Sequence, residues 1–265
     1  MIDTNVDLFN WPFRRVVGDD PASLVTNLRS KGVTQAWVCS YEALLCRDLT
    51  GVNARLASAA TQFGLNFLVP FGSISPKLPD WREDLRRCVE VHRMPGIRLH
   101  PNYHGYTLDD PAVGELLALA AGKKLLVQIA VSMEDVRTQN PLMKIPPVDP
   151  GPLVGLLTRL PDLRVQLLNA GYHAGVNTGH IDDISRLENL HFDFACQESV
   201  AGLAKLIAQT SPNRVAFGSH YPFFYFESSF LKVYEALLPA EQEMAVMEGN
   251  ARRLIGEGAL AAGRN

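Results

Sequence analysis

The alternation of short apolar runs with longer amphipathic segments is the feature that most restricts the fold of this chain. Segments with apolar residues at helical spacing separate eight β-branched or apolar runs. The runs are IDTNVDLF, TQAWVCS, NFLVPFGS, GIRLH, KLLVQIA, LRVQLLN, LHFDFA and NRVAFGS. Strict strand–helix alternation favours a parallel sheet, and over 265 residues the (β/α)8 TIM barrel is the natural closed form of that sheet.

Nothing in the sequence divides the chain into parts. A doubly wound open sheet is the alternative α/β architecture, but no GxGxxG or Walker sequence follows the first strand to mark a nucleotide site. Linkers, low-complexity tracts and short repeats are also absent from the sequence. We therefore expect residues 1–265 to form a single α/β barrel domain.

The balance of charges and the spacing of the cysteines indicate which binding partners and which cellular compartment to expect. The 25 Lys and Arg residues are offset by 28 Asp and Glu residues, which argues against a nucleic-acid partner. No apolar stretch reaches the roughly 18 residues of a membrane span, no secretory leader opens the sequence, and the four cysteines lack CxxC spacing. We expect a cytoplasmic protein with reduced thiols and a small-molecule partner, no membrane partner, and aromatic loops (NWPF, YPFFYF) that could support a homo-oligomer.

Polar residues stand near the carboxyl ends of the predicted strands, the end of a barrel at which sites are built. In a regular first strand Asp3, Asn5 and Asp7 would share one face, with Thr4 and Val6 on the other. Buried polar groups without partners are costly, so such a ring requires mutual pairing, water or a ligand. The other members are Arg98 and His100 on the fourth strand, Gln128, Asn169 and Asp193 on the next three, and His220 on the eighth.

Each of these residues also has a structural explanation. Arg98 could pair with Asp3 or Asp193 inside the barrel, and Asn169 could cap a loop. Gln128 is harder to explain in this way, because an amide in a buried strand needs a specific partner. Four further histidines lack metal-ligand spacing and fit a surface position: His104, His173, His180 and His191.

Several phrases together resemble the amidohydrolase superfamily, across nearly the whole chain and in the right order. They include MIDTNVDLFNWP, GIRLHPNYHGYTLDDP, VAFGSHYPF and EGNARRLIG. The nearest branch contains metal-dependent hydrolases, decarboxylases and lactonases of small carboxylic acids. The resemblance implies a TIM barrel whose strand ends carry the reaction.

The chain departs from the family at the positions of its metal ligands. Asn5 and Asp7 stand where the family has a His-x-His pair on the first strand. Gln128 and Asn169 match the histidines that end strands five and six, and His220 matches the aspartate of strand eight. Amides are poor zinc ligands, and two strong ligands are fewer than a catalytic zinc needs. The substitutions therefore predict no resident cofactor, with only weak binding of a divalent metal left open.

Without a metal, side chains would have to supply the catalytic groups. His220 and Asp7 would form an acid–base pair that activates water or abstracts a proton. Arg98 and His100, also expected to be catalytic, would hold a carboxylate or stabilise an oxyanion. Hydrogen bonds from the remaining polar groups would bind the substrate: Asn5, Gln128, Asn169, Asp193 and Tyr221.

The favoured function is an amidohydrolase-like hydrolase that cleaves a lactone, amide or ester bond of a small anionic organic substrate without the usual divalent metal. Lyase or decarboxylase chemistry also fits the family. One alternative is a catalytically inactive barrel that acts as a small-molecule binding protein or as a regulatory protein. The other is a metalloenzyme with an atypical ligand set of Asp7, His220 and either His100 or Asp193.

Overall fold

A seven-stranded parallel sheet, with its strands in chain order, forms the centre of the molecule. The computed structural model describes residues 1–171 and 181–256. The alternating apolar runs thus form a parallel α/β sheet, as predicted. The strands are β1 (Ile2–Leu8), β2 (Gln35–Ser40), β3 (Leu68–Ser73), β4 (Gly96–Leu99), β5 (Leu126–Ala130), β6 (Arg164–Leu168) and β7 (Leu190–Phe192).

The two edges of the sheet meet at residues 215–221, the closing segment. On one side the amide of Ala216 donates to the carbonyl of Phe192 at 2.9 Å, and on the other the amide of Thr4 donates to the carbonyl of Phe217 at 2.9 Å. The closing segment makes isolated bridges to its neighbours and is not a regular strand. The fold is TIM-barrel-like, but the described residues do not show the eight regular strands that the sequence predicts.

Helices lie between successive strands. Two of them begin at Asp-Pro pairs, where Asp20 accepts from the amide of Ser23 at 2.9 Å and Asp110 from that of Ala112 at 3.0 Å. An aspartate cap and a proline at the first position both favour a helix start. The helices are α1 (Pro21–Ser30), α2 (Leu49–Phe63), α3 (Trp81–Glu90), α4 (Pro101–His104), α5 (Pro111–Gly122), α6 (Leu153–Arg159), α7 (Ile181–Ser185), α8 (Gly202–Gln209), α9 (Phe226–Glu235), α10 (Ala240–Met244) and α11 (Asn250–Ile255), with a π-helical turn (Ala245–Gly249) before α11.

Apolar side chains fill two regions of the core. The larger cluster joins the helices to the outer face of the sheet. A second cluster includes Ile2, Trp37, Phe71 and Leu254, and the rings of Trp37 and Phe71 stack at 5.3 Å. Residues of β1, β2, β3 and α11 thus close the amino-terminal end of the barrel with apolar groups, and the polar residues occupy the rest of its interior.

Strand β1 does not keep the predicted alternation. Its pairing with β2 shifts between Asp3 and Val6. Val6 lies in the outer core as expected, but the hydroxyl of Thr4 accepts a hydrogen bond of 2.8 Å from Gln166. The prediction that Thr4 lies on the opposite face from Asn5 is wrong, because the shift turns two successive side chains into the barrel.

Surface and thiol features can be compared directly with the sequence predictions. No helix in the described part of the chain combines the length and apolar character that a bilayer crossing requires. The four cysteines are free thiols. The aromatic loops do not form a continuous exposed patch: Trp11 is 2% and Tyr221 8% exposed, whereas Tyr225 is 83% exposed.

Candidate active site

The polar residues predicted at the strand ends converge in the barrel interior, on the side of the carboxyl ends of the strands. Asn5, Asp7, Arg98 and His220 are each no more than 1% exposed. They come from β1, β4 and the closing segment, which the curled sheet brings together. The geometry of this cluster decides what each residue is free to do.

Arg98 forms a buried ion pair with Asp7. Its Nη1 lies 3.0 Å from Asp7 Oδ1, and its Nε donates to the side-chain oxygen of Gln128 at 2.9 Å. A structural ion pair was one explanation considered for Arg98, but the predicted partners Asp3 and Asp193 were wrong. The pair fixes one carboxylate oxygen of Asp7 and leaves the other for a different partner.

Gln128 is held by its own network inside the sheet. Its Nε2 donates to the carbonyl of Thr4 at 2.8 Å and to the side-chain oxygen of Gln166 at 2.9 Å. Because both N–H groups are used, the Gln128 oxygen must face Arg98. Sequence reasoning missed Gln166, although it carries the same signal as Gln128: an amide inside a buried strand, in RVQLL.

Asn169 and Asp193 orient the side chain of Asn5. The Asn5 Nδ2 donates to Asn169 Oδ1 at 2.7 Å and to Asp193 Oδ2 at 2.6 Å. Asn169 also donates through Nδ2 to the carbonyl of Ser132 at 2.8 Å. Burial raises the pKa of Asp193 to about 6, although hydrogen bonds from both asparagines oppose the rise. Protein groups thus engage Asn169 and Asp193, and the Asn5 Oδ1 is left without a partner among the described residues.

His220 and Asp7 face each other without a hydrogen bond between them. The His220 Nε2 lies 2.9 Å from the carbonyl of Met133, so this nitrogen carries the proton and Nδ1 carries a lone pair in the neutral ring. Burial lowers the pKa of His220, with Asp7 opposing the shift, so the neutral ring is favoured at neutral pH. The Nδ1 lies 3.8 Å from Asp7 Oδ2, and neither atom has a hydrogen-bond partner in residues 1–171 and 181–256.

Two buried acceptors that face each other repel unless something between them supplies positive charge or a proton. The backbone of His220 adds to the cost, since its φ of 55° lies in the left-handed region. A non-glycine residue in that conformation costs on the order of 1–3 kcal/mol and is typical of functional sites. The position of His220 is therefore maintained against local strain.

His100 lies deep in the fold, whereas Tyr221 points away from the cluster. The His100 Nδ1 is 3.4 Å from the Ser73 hydroxyl, and burial lowers its pKa well below the usual value. The Tyr221 hydroxyl accepts from Asn27 of α1 at 3.0 Å, which corrects its predicted place beside the substrate. His104 and His191 are half-buried rather than surface residues, and His173 and His180 lie outside the described residues.

An aromatic roof, formed by Trp11, Tyr41 and Phe223, covers the cluster. The Trp11 ring meets Tyr41 edge-on at 5.2 Å and Phe223 at 4.9 Å, and Phe223 lies 5.3 Å from the His220 ring. Sequence reasoning favoured pocket wall and core for the FFYF run after His220 but did not assign the NWPF loop to this site, and it missed Tyr41. A cleft of about 30 Å³ beside Asn169 has room for one or two water molecules.

Comparison with known proteins places this site in context. The sequence profile of the amidohydrolase family matches residues 15–256. The curated proteins searched give no match. Two similar solved structures each share 14% identity with this chain, over 96% of this chain and 98% of theirs. They are a 2,6-dihydroxybenzoate decarboxylase from Rhizobium, with a TM-score of 0.73, and a 5-carboxyvanillate decarboxylase from Sphingomonas paucimobilis, with a TM-score of 0.72. A dihydroxybenzoic acid decarboxylase from Polaromonas with bound manganese and an inhibitor shares 13% identity, with 96% of both chains covered and a TM-score of 0.71.

The comparisons correct the prediction that no cofactor is needed. Two similar solved structures, each 13% identical to this chain, contain bound manganese, and this finding contradicts the expectation that no cofactor is used. The described residues hold no group of three or more His, Cys, Asp or Glu side chains placed for a metal. A centre in this chain would therefore need an oxygen ligand of another kind, and Asn5 Oδ1 is an unpaired oxygen within the same cluster.

Proposed function

Because the chain belongs to the amidohydrolase family, we propose that it is an enzyme that cleaves a small carboxylic acid at a metal-assisted centre between Asp7 and His220. The unpaired acceptors Asp7 Oδ2 and His220 Nδ1 are the observation that carries the proposal. The similar structures are named as decarboxylases of dihydroxybenzoate and 5-carboxyvanillate, and this supports a small acid as substrate.

The residues present fit a divalent cation. The two acceptors are 3.8 Å apart, which is less than twice the roughly 2.0–2.2 Å distance from a metal to a nitrogen or oxygen ligand. A carboxylate, an imidazole and the amide oxygen of Asn5 are ligand types that suit such ions. Compared with the family pattern, the chain exchanges a histidine and an aspartate between β1 and the closing segment, and so keeps one of each.

The rest of the cluster keeps these acceptors in place. Arg98 holds the other oxygen of Asp7, the Met133 carbonyl fixes the tautomer of His220, and Asp193 orients Asn5. A bound cation would act as a Lewis acid on an oxygen of the substrate. His100 has a neutral ring and an Nε2 with no partner in the described chain, so we assign it the role of proton acceptor.

Metal binding is the first test. Purified protein, stripped with a chelator, is titrated with Mn²⁺ by calorimetry, and we expect one site per chain in the wild type. Asp7→Asn and His220→Gln should each weaken Mn²⁺ binding by at least about tenfold, whereas His191→Gln, on the strand β7 side of the fold, should not. Equal Mn²⁺ affinity in all four proteins would refute the proposed centre.

Turnover is the second test. The Mn²⁺-loaded protein is incubated with a panel of small aromatic and aliphatic carboxylic acids, lactones and amides. Carbon dioxide release indicates decarboxylation, and formation of a new acid group indicates hydrolysis. We expect one of these activities, sensitive to chelators and lost in Asp7→Asn. Thermal stabilisation by an acid without any turnover would instead assign the barrel a binding role.

A further inference from the structure

The aromatic roof contains two buried hydrogen-bond donors that no described residue accepts. The indole N–H of Trp11 and the hydroxyl hydrogen of Tyr41 find no acceptor within residues 1–171 and 181–256, although the Tyr41 oxygen is close to the backbone N–H of Phe223. Trp11 is 2% exposed and Tyr41 1% exposed, so water does not freely solvate either group. A buried donor without a partner costs about 1–3 kcal/mol, so retaining two in one place needs an explanation.

Both donors lie over the reacting centre. Trp11 follows the carboxyl end of β1 and Tyr41 that of β2, and these strands are neighbours in the sheet. The two rings meet edge-on at 5.2 Å, and Phe223 joins Trp11 to the ring of His220. The two rings that carry the unpaired donors thus stand beside the polar cluster that contains the unpaired acceptors.

Charge and protonation suit these groups to an anion. Burial, with the charge of Asp7 adding to it, raises the pKa of Tyr41 well above its usual value, so the hydroxyl keeps its proton. The indole N–H of Trp11 donates at any ordinary pH and cannot accept. The guanidinium of Arg98 opposes the negative potential of Asp7 at this hydroxyl, and a cation held by Asp7 would shift the balance further toward an anion beneath the roof.

We propose that Trp11 and Tyr41 determine substrate specificity by donating hydrogen bonds to an anionic oxygen, a carboxylate or phenolate, of the bound substrate. The inference rests on the proposed function and adds to it the groups that recognise the acid. In the occupied site the two donors would bind the anion, while Asp7 and His220 would hold the cation that balances its charge. A neutral isostere, such as the corresponding amide, cannot make the same set of contacts.

The contacts of the Trp11 ring would permit it to shift when an acid binds. Trp11 contacts Phe13, Tyr41 and Phe223 through ring edges, and its N–H makes no hydrogen bond to any described residue. Moving the ring therefore breaks no hydrogen bond. In the complex the two donors gain the partner that they lack in the free protein.

Two isosteric variants test the inference. Trp11→Phe and Tyr41→Phe remove only the donor and keep an aromatic ring, and the control Tyr106→Phe removes a buried, unpaired hydroxyl close to His104 on the outer side of β4. Calorimetry of the Mn²⁺-loaded proteins uses benzoate and benzamide as probes. Each roof variant should bind benzoate about 10- to 100-fold more weakly, the control should not, and benzamide binding should change little.

A second measurement needs no variant that could misfold. The three tryptophans give three indole N–H resonances, and that of Trp11 should move downfield when benzoate is added to the wild type. Unchanged benzoate affinity in both roof variants, or no benzoate binding by the wild type, would overturn the inference. Mn²⁺ binding measured on the same samples separates that result from failure of the proposed function, since the roof variants should bind Mn²⁺ as the wild type does.

Discussion

Replacing Asp7 with asparagine should lower the free energy of unfolding of the metal-free protein by about 3–5 kcal/mol. Asp7 and Arg98 are each 1% exposed, and their ion pair spans 3.0 Å. The remaining partners of the guanidinium are neutral: the Gln128 side-chain oxygen and the carbonyls of Val6 and Trp37. The substitution therefore satisfies the hydrogen bond but leaves a buried positive charge without its counter-charge.

A double-mutant cycle separates the interaction energy of the Asp7–Arg98 pair from the effect of losing either side chain. Arg98→Met alone leaves the Asp7 carboxylate buried and unpaired and should cost a similar amount. The double variant, which buries neither charge, should be more stable than the sum of the single changes predicts, by at least about 1 kcal/mol. A surface pair provides the contrast: Glu83→Gln breaks the exposed pair with Arg86 and should cost less than about 1 kcal/mol.

Urea unfolding followed by circular dichroism, with a chelator present throughout, measures these values. The chelator matters because a bound cation would add its own stabilisation to the wild type. Equal slopes of free energy against urea across the variants would show that the unfolded states are comparable. A loss of less than about 1 kcal/mol in Asp7→Asn would mean that water reaches Arg98, and it would refute the buried-pair reasoning.

Three further predictions concern single positions. Burial raises the pKa of Asp3 from 3.8 to about 7, so between these values the folded state holds a proton that the unfolded chain has lost. The stability that this proton contributes is complete at about pH 4 and below, and it disappears as the pH rises through 7. Asp3→Asn should therefore flatten the fall in urea midpoints between about pH 5 and 8. Gly218→Ala should cost about 1–3 kcal/mol, because the new Cβ would lie 2.8 Å from Asp193 Cβ, whereas Gly122→Ala, with open space around it, should be neutral or slightly stabilising in the same assay. Tyr221→Phe should lower stability by about 0.5–1.5 kcal/mol through one lost hydrogen bond to α1 and leave benzoate binding unchanged; a benzoate defect would return Tyr221 to the site.

Much of the fold follows from features that act locally along the chain. The strand and helix alternation and the Asp-Pro starts at Asp20 and Asp110 gave the parallel sheet and two helix boundaries. The inward position of Thr4 could not be foreseen, because alternation assumes a regular strand and a shift in pairing with β2 breaks it. The final strand was overestimated for a similar reason: its sequence suits a strand, but its partners allow only isolated bridges.

The sequence predicted where the polar residues converge more successfully than it predicted which residues they contact. A polar residue at a strand end points to the barrel interior, but its partner depends on distances across the barrel that no local pattern encodes. Arg98 therefore has Asp7 as its partner, and Asn169 and Asp193 hold Asn5. The sequence did predict that Asp7 and His220 lie close together, but not that their facing atoms stay 3.8 Å apart without a shared hydrogen bond.

The closing of the sheet also sets when the site can exist. Asp7 lies near the start of the chain and His220 near its other end, and the contact between Thr4 and Phe217 spans 213 positions. During synthesis, β1 through β7 leave the ribosome before the segment that supplies His220. A nascent chain can build most of its core and still lack the pair, so ligand capture is expected to wait for the closing segment and to report that the barrel is complete.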